Sequence, residues 1–104
     1  MENIGVDLLD LSEFPDYEKN QKDRFFKDNF SISELKYIKT KNNRTLELAK
    51  IFSLKESLVK AGVDIELNFN KIEITFIENT PYFKGYKVCV SSDTRSCLAT
   101  AIKE

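Results

Sequence analysis

Apolar and polar positions divide this chain into a helical first part and a strand-rich second part. The longest helical pattern runs from Asn43 to Gly62, NRTLELAKIFSLKESLVKAG, with no Pro and no interior Gly. Leu46, Ala49, Ile51, Leu54, Leu58 and Ala61 recur at helical spacing, and Phe52 and Val59 widen the apolar side. A helix this apolar is predicted to lie largely buried, with Asn43 as its N-cap and Gly62 just past its end. Ahead of it, Ile4 to Leu9 reads as a short strand interrupted by Asp7. Leu11 to Lys22 is polar and holds Pro15, so a loop or short helical turn is expected. Phe25, Phe26 and Phe30 then form an aromatic cluster assigned to the core. Ser31 or Ser33 is expected to cap a helix over Glu34–Lys39, with Leu35 and Ile38 turned inward.

After Gly62 the period changes to two. Residues 67–77, LNFNKIEITFI, alternate through Leu67, Phe69, Ile72, Ile74 and Phe76, as a half-buried strand should. A turn is expected at Asn79-Thr80-Pro81, a short strand at Tyr82–Lys84, and strands at Lys87–Ser91 and Cys97–Ile102 around a turn at Asp93–Ser96. Helices first and a meander of strands afterwards predict an α+β fold, an antiparallel sheet packed against a long central helix. No repeat or internal boundary divides residues 1–104, so one domain is expected.

Composition narrows the chemistry. With 104 residues, 41% of them hydrophobic and eight Phe, the core is small enough to lean on oligomerisation. A net charge of −1 argues against a nucleic-acid binder, but the charge is unevenly spread. Residues 31–62 hold seven bases and three acids, whereas residues 1–30 hold eight acids and four bases, so an anion should bind near the central helix. There is no histidine, which removes His bases and His metal ligands. Any metal must then sit among oxygen ligands, favouring magnesium, calcium or manganese. Cys89 and Cys97 lack metal-ligand spacing and are expected to stay reduced. The start MENIGVDLLD does not read as a signal peptide and no apolar run is long enough for a membrane, so the expected location is cytoplasmic.

Two features stand out as chemistry. Glu56 and Lys60 are one turn apart on the central helix, with Ser53 a turn earlier; taken alone they read as an ordinary i,i+4 ion pair on a solvated face. Asp7 interrupts an apolar strand, where a carboxylate is costly to bury unless paired or bound to a cation. On this stretch alone an exposed face or a turn cap is the favoured reading of Asp7.

Taken together, IGVD (4–7) and FSLKESLVKAG (52–62) resemble the 4′-phosphopantetheinyl transferases, in the small holo-acyl-carrier-protein synthase form. RFFKDNFSISEL (24–35) and VCVSSDTRSCLATAI (88–102) are similar to further stretches of that family, so the likeness runs nearly end to end. The resemblance implies transfer of phosphopantetheine from coenzyme A to a serine of an acyl carrier protein, releasing 3′,5′-ADP. It implies magnesium held by Asp7 and Glu56, with Glu56 and Lys60 as catalytic groups. Lys60 would neutralise phosphate charge or assist deprotonation of the serine. It assigns coenzyme contacts to Ser53, Lys55, Gly62, Pro81 and Ser92, with anchoring of the helix as the alternative for Lys55. It also implies a homotrimer whose pocket is completed by the next subunit, and no nucleic-acid or membrane partner.

The chain departs from the family in several places. Ser91-Ser92 stands where the family usually has (S/T)-H, Lys60-Ala61 runs straight to Gly62 without a G-T-G loop, and Ile51 replaces a common arginine. These losses trim the coenzyme pocket and leave open a degenerate coenzyme A-binding or structural homologue without turnover. The stretch after the first strand is acidic, with Asp10, Glu13, Asp16 and Glu18 against Lys19, where the family is basic. The expectation is therefore either a carrier with a neutral or basic recognition helix, or docking shifted towards Lys36, Lys39, Lys41 and Arg44.

Overall fold

The computed structural model describes residues 3–64 and 66–104. β1 (Ile4–Asp10) leads through a short 3₁₀ turn, Leu11–Glu13, to α1 (Arg24–Asn29) and α2 (Ile32–Tyr37). α3 (Arg44–Lys60) follows, then β2 (Thr75–Ile77), β3 (Thr80–Tyr82), β4 (Tyr86–Ser92) and β5 (Ser96–Lys103). β5 is the middle strand of an antiparallel sheet in the order β1-β5-β4, and β2 and β3 form a separate hairpin. The α+β architecture with antiparallel strands on a long helix is the one the chain pattern predicts.

α3 has the expected limits. The Asn43 side chain accepts from Leu46 N at its start. At its end Gly62 takes φ 117°. There Gly62 N donates to Val59 O at 3.1 Å and Val63 N to Leu58 O at 3.0 Å, the paired bonds of a left-handed glycine stop. The burial of α3 exceeds the apolar stripe, because Ser53, Lys55 and Ser57 are buried together with Leu48, Ile51, Leu54 and Leu58. β1 and β5 cover one side of the helix; Phe26, Phe30 and Ile38 join the same core. Phe25 is half-buried, its ring 5.3 Å from Phe26 and 5.6 Å from Phe14.

β1 and α3 approach unusually closely. Gly5 pairs with Ala101 and Asp7 with Ala99, so the sheet face under the helix is made of small residues. A Cβ built on Gly5 would lie 1.9 Å from the Ser57 carbonyl oxygen and 2.8 Å from Ala61 N. Both are helix backbone, so no side chain can move to make room. Strand alternation puts Asp7 on the same face as Gly5, and the close approach drives its carboxylate against α3.

Three expectations need correction. The alternating stretch 67–77 is not one strand: a 3₁₀ turn takes Phe69–Lys71, and only Thr75–Ile77 pairs as strand. Ile72 and Ile74 are buried as the alternation requires, but two polar groups of this backbone meet side chains. The Phe69 carbonyl accepts from Lys55 Nζ at 2.7 Å, and Ile74 N donates to Glu34 Oε2 at 2.7 Å. The hairpin turn falls at Glu78 and Asn79, with φ of 51° and 67°, so Thr80 and Pro81 belong to β3. Two successive left-handed residues give the tight turn whose twist suits paired strands. The helix expected at Glu34–Lys39 begins instead at Ile32, because Ser31 and Glu34 close a reciprocal capping box.

Gly5→Ala should cost about 3 kcal/mol or more of stability in urea unfolding, since the strand must lift off the helix to admit a methyl group. A loss below about 1 kcal/mol would show that the β1–α3 contact yields easily.

Candidate active site

The close approach assembles a cluster from Asp7, Ser53, Glu56 and Lys60. Asp7 is 12% exposed at its side chain and both its oxygens have donors. Ser53 Oγ donates to Oδ2 at 2.9 Å, and Lys60 Nζ to Oδ1 at 3.1 Å. Lys60 Nζ also donates to the Val6 carbonyl at 3.1 Å. The i,i+4 pairing expected between Glu56 and Lys60 is therefore replaced, because Lys60 reaches across to the strand carboxylate. Asp7 is neither on an exposed face nor a turn cap.

Glu56 stands beside this pair without a salt-bridge partner among the described residues. Its pKa is raised above the ordinary carboxylate value, first by burial and then by the charge of Asp7, with Lys60 working against both. Two carboxylates that repel each other beside one ammonium form a site short of positive charge. The donor set fits a hard divalent cation: two oxygen ligands, no soft ligand, and a repulsion that a cation would relieve. No group of three or more His, Cys, Asp or Glu that could hold a metal occurs among the described residues, so a cation here would complete its shell with phosphate oxygens or water.

The structure separates the remaining expected site residues. Lys55 is wholly buried, and its Nζ donates to Glu34 Oε1 at 2.6 Å, Asn29 O at 2.7 Å and Phe69 O at 2.7 Å. All three ammonium protons are engaged, so its assignment to coenzyme contact is corrected: Lys55 anchors the helix. Burial pushes the Lys55 pKa down and the Glu34 pKa up, while their mutual attraction opposes both shifts. Ser53 is also fully buried and serves Asp7, so its coenzyme contact is corrected as well. Gly62 forms the helix stop, Pro81 pairs with Phe76 in the β2–β3 hairpin, and Ser92 ends β4 opposite Cys97. Ser92 borders a surface depression with Phe14, Leu46 and Asp93, which Asp7, Glu56 and Lys60 do not line.

Two of the four bases expected at the docking surface have partners within the chain. Arg44 Nε and Nη2 donate to the two oxygens of Glu18 at 2.7 and 2.6 Å, and Lys41 Nζ donates to Asn79 Oδ1 at 2.6 Å. Lys36 and Lys39 remain exposed. Sequence reasoning missed Glu34 and Gly5. The capping-box spacing from Ser31 marks Glu34 as locally engaged but gives no sign of its burial; a glycine inside a strand is the available signal for Gly5.

A family profile described as "4'-phosphopantetheinyl transferase superfamily" matches residues 3–100. A holo-[acyl-carrier-protein] synthase of Caldicellulosiruptor saccharolyticus is 37% identical over 73 residues, 69% of this chain and 58% of the relative. This chain's match thus spans under two thirds of that relative's length. The synthase of the same name from Mycoplasmopsis pulmonis is 30% identical over 96 residues, 92% of this chain and 84% of the relative. The solved holo-[acyl-carrier-protein] synthase of Thermotoga maritima superposes with a TM-score of 0.80 at 23% identity, covering 99% of this chain and 63% of the other. That of Helicobacter pylori, solved in complex with coenzyme A, superposes with a TM-score of 0.76 at 22% identity, covering 97% and 99%.

Because Glu56 holds its proton more tightly in the folded chain, its contribution to stability is present at low pH and lost as pH rises through its folded value. Glu56→Gln should therefore melt higher than the parent at neutral pH without divalent cations, and the gap should close below about pH 4.5, the ordinary value. Thermal scans across that range read the effect; a variant that melts lower at neutral pH would contradict the crowding of the two carboxylates.

Proposed function

The chain belongs to the 4′-phosphopantetheinyl transferase superfamily, and we propose that it transfers 4′-phosphopantetheine from coenzyme A to a serine of an acyl carrier protein. The observation that carries the reading is the cluster itself: Asp7 is bonded to Lys60 and Ser53, with Glu56 on the same helix near enough to feel its charge, on two elements pressed into contact at Gly5. In the transfer, the serine oxygen bonds to the pantetheine-side phosphorus of the coenzyme A pyrophosphate. The bridging P–O bond breaks, 3′,5′-ADP leaves with the electron pair, and the serine gives up its proton.

Asp7 and Glu56 would hold magnesium, which when bound would neutralise pyrophosphate charge. Ser53 fixes the Asp7 carboxylate by its hydrogen bond to Oδ2. Lys60, half-exposed at the mouth of the cluster, supplies positive charge to the phosphate oxygens as the leaving group departs. With magnesium held there the Glu56 carboxylate would stay ionised, and the serine proton would pass to water.

Incubation with coenzyme A, magnesium and carrier proteins should yield the phosphopantetheine adduct by mass spectrometry. Asp7→Asn or Glu56→Gln should slow transfer at least about a hundred-fold while the fold survives. No adduct on any carrier, from a folded parent protein, would favour the homologue without turnover.

The assembly we propose is a cyclic homotrimer in the cytoplasm, with no nucleic-acid or membrane partner. No helix among the described residues is long and apolar enough to cross a membrane. The sheet face turned away from α3 supports assembly: Ile4, Val6, Leu8, Leu98 and Ile102 lie on it, Leu8 being 70% exposed. Such a face is costly in water and typical of a subunit contact. Sedimentation should give a trimer for the parent and a monomer for Val6→Glu/Leu8→Glu; a parent that is monomeric at micromolar concentration would contradict it.

A further inference from the structure

We propose that Lys60 is a tethered counter-ion: it keeps the Asp7 carboxylate closed to a divalent cation until a phosphate-bearing anion draws it away. The proposal rests on the reading of Asp7 and Glu56 as cation ligands and adds an order of events to it. Both oxygens of Asp7 already accept a hydrogen bond, so a cation taking Oδ1 must share it with the Lys60 ammonium, one positive charge against another. Ser53 is fully buried with its hydroxyl directed at Asp7, and cannot turn away without leaving a buried polar group unpaired. Lys60 is the donor that can leave. Its side chain is 52% exposed, comes from the last turn of α3 on a long flexible stem, and can exchange its hydrogen bonds for water.

Charge decides when it leaves. Asp7, Glu56 and Lys60 together carry one net negative charge when all are ionised. A divalent cation added beside Lys60 turns the cluster positive and sets two cations against each other. An anion carrying a pyrophosphate removes that conflict by giving the displaced ammonium a partner close at hand. The cation and the anion therefore favour each other's binding, and by reciprocity each raises the other's affinity by the same factor. Glu56 has no salt bridge to give up and meets the cation directly. Metal and coenzyme A accordingly enter as a coupled pair, and the cation alone binds weakly.

Titration of manganese, followed by the electron paramagnetic resonance signal of free Mn²⁺, reads this without any turnover. Lys60→Met removes the competing charge and keeps the stem. It should bind Mn²⁺ alone about ten-fold more tightly than the parent, from the lost ion pair and the lost cation–cation repulsion. Lys60→Gln should move the same way. Coenzyme A should tighten Mn²⁺ binding by the parent more than by either variant. Equal or weaker Mn²⁺ binding by both variants would overturn the counter-ion role while leaving the cation site standing. Absence of Mn²⁺ binding by parent and variants, with and without coenzyme A, or binding unaffected by Asp7→Asn, would overturn the cation reading beneath it.

Discussion

A missing methyl group holds this structure together. At Gly5 the backbone of β1 meets the backbone of α3, and the ideal Cβ position lies 1.9 Å from the Ser57 carbonyl. The neighbouring strand conforms, with Ala99 and Ala101 under the same helix, both fully buried. From this contact follows the site. Asp7, two residues beyond Gly5, is pushed against α3 within reach of Ser53 and Lys60, and its charge is felt by Glu56.

The second constraint is the buried Lys55–Glu34 pair. Burying two charges is expensive, and breaking such a pair by removing one partner costs about 3–5 kcal/mol. Here the ammonium has three oxygen acceptors, and the carboxylate accepts from Ser31 N, Lys55 Nζ and Ile74 N. The network ties the end of α1, the start of α2, the middle of α3 and the segment around Phe69–Ile74 to one point. Lys55 and Glu56 are adjacent in the chain, so the rotation of α3 that buries one directs the other towards Asp7. The lysine that resembles a ligand-binding group is a strut for its neighbour.

Much of this was legible in the chain. Helix α3 could be placed from its cap, its apolar spacing and its closing glycine, because all three signals are local. The antiparallel α+β class followed from the change of period after Gly62. Asp7 stood out only through the family resemblance, since its own stretch reads first as an exposed face or a turn cap. The partner itself was hidden: Lys60 could be paired with Glu56 on helical spacing, and only the tertiary contact at Gly5 turns it to Asp7. The stretch 67–77 misled for the same reason. Its alternation correctly buries Ile72 and Ile74, yet its backbone meets a distant Lys and Glu, which no local pattern records. Exposed apolar positions on the outer sheet face were likewise silent, since alternation does not say which face the helix covers.

The central claim is that one close backbone contact brings Asp7 and Glu56 to a shared cation. Its most direct measurement is an anomalous difference map from crystals soaked in manganese and coenzyme A. The account predicts a single strong peak in contact with both carboxylates, at roughly the 2.0–2.1 Å that a hard divalent cation of magnesium's kind keeps from oxygen. A peak bound to one carboxylate alone, or one elsewhere with Asp7 still closed by Lys60, would contradict it.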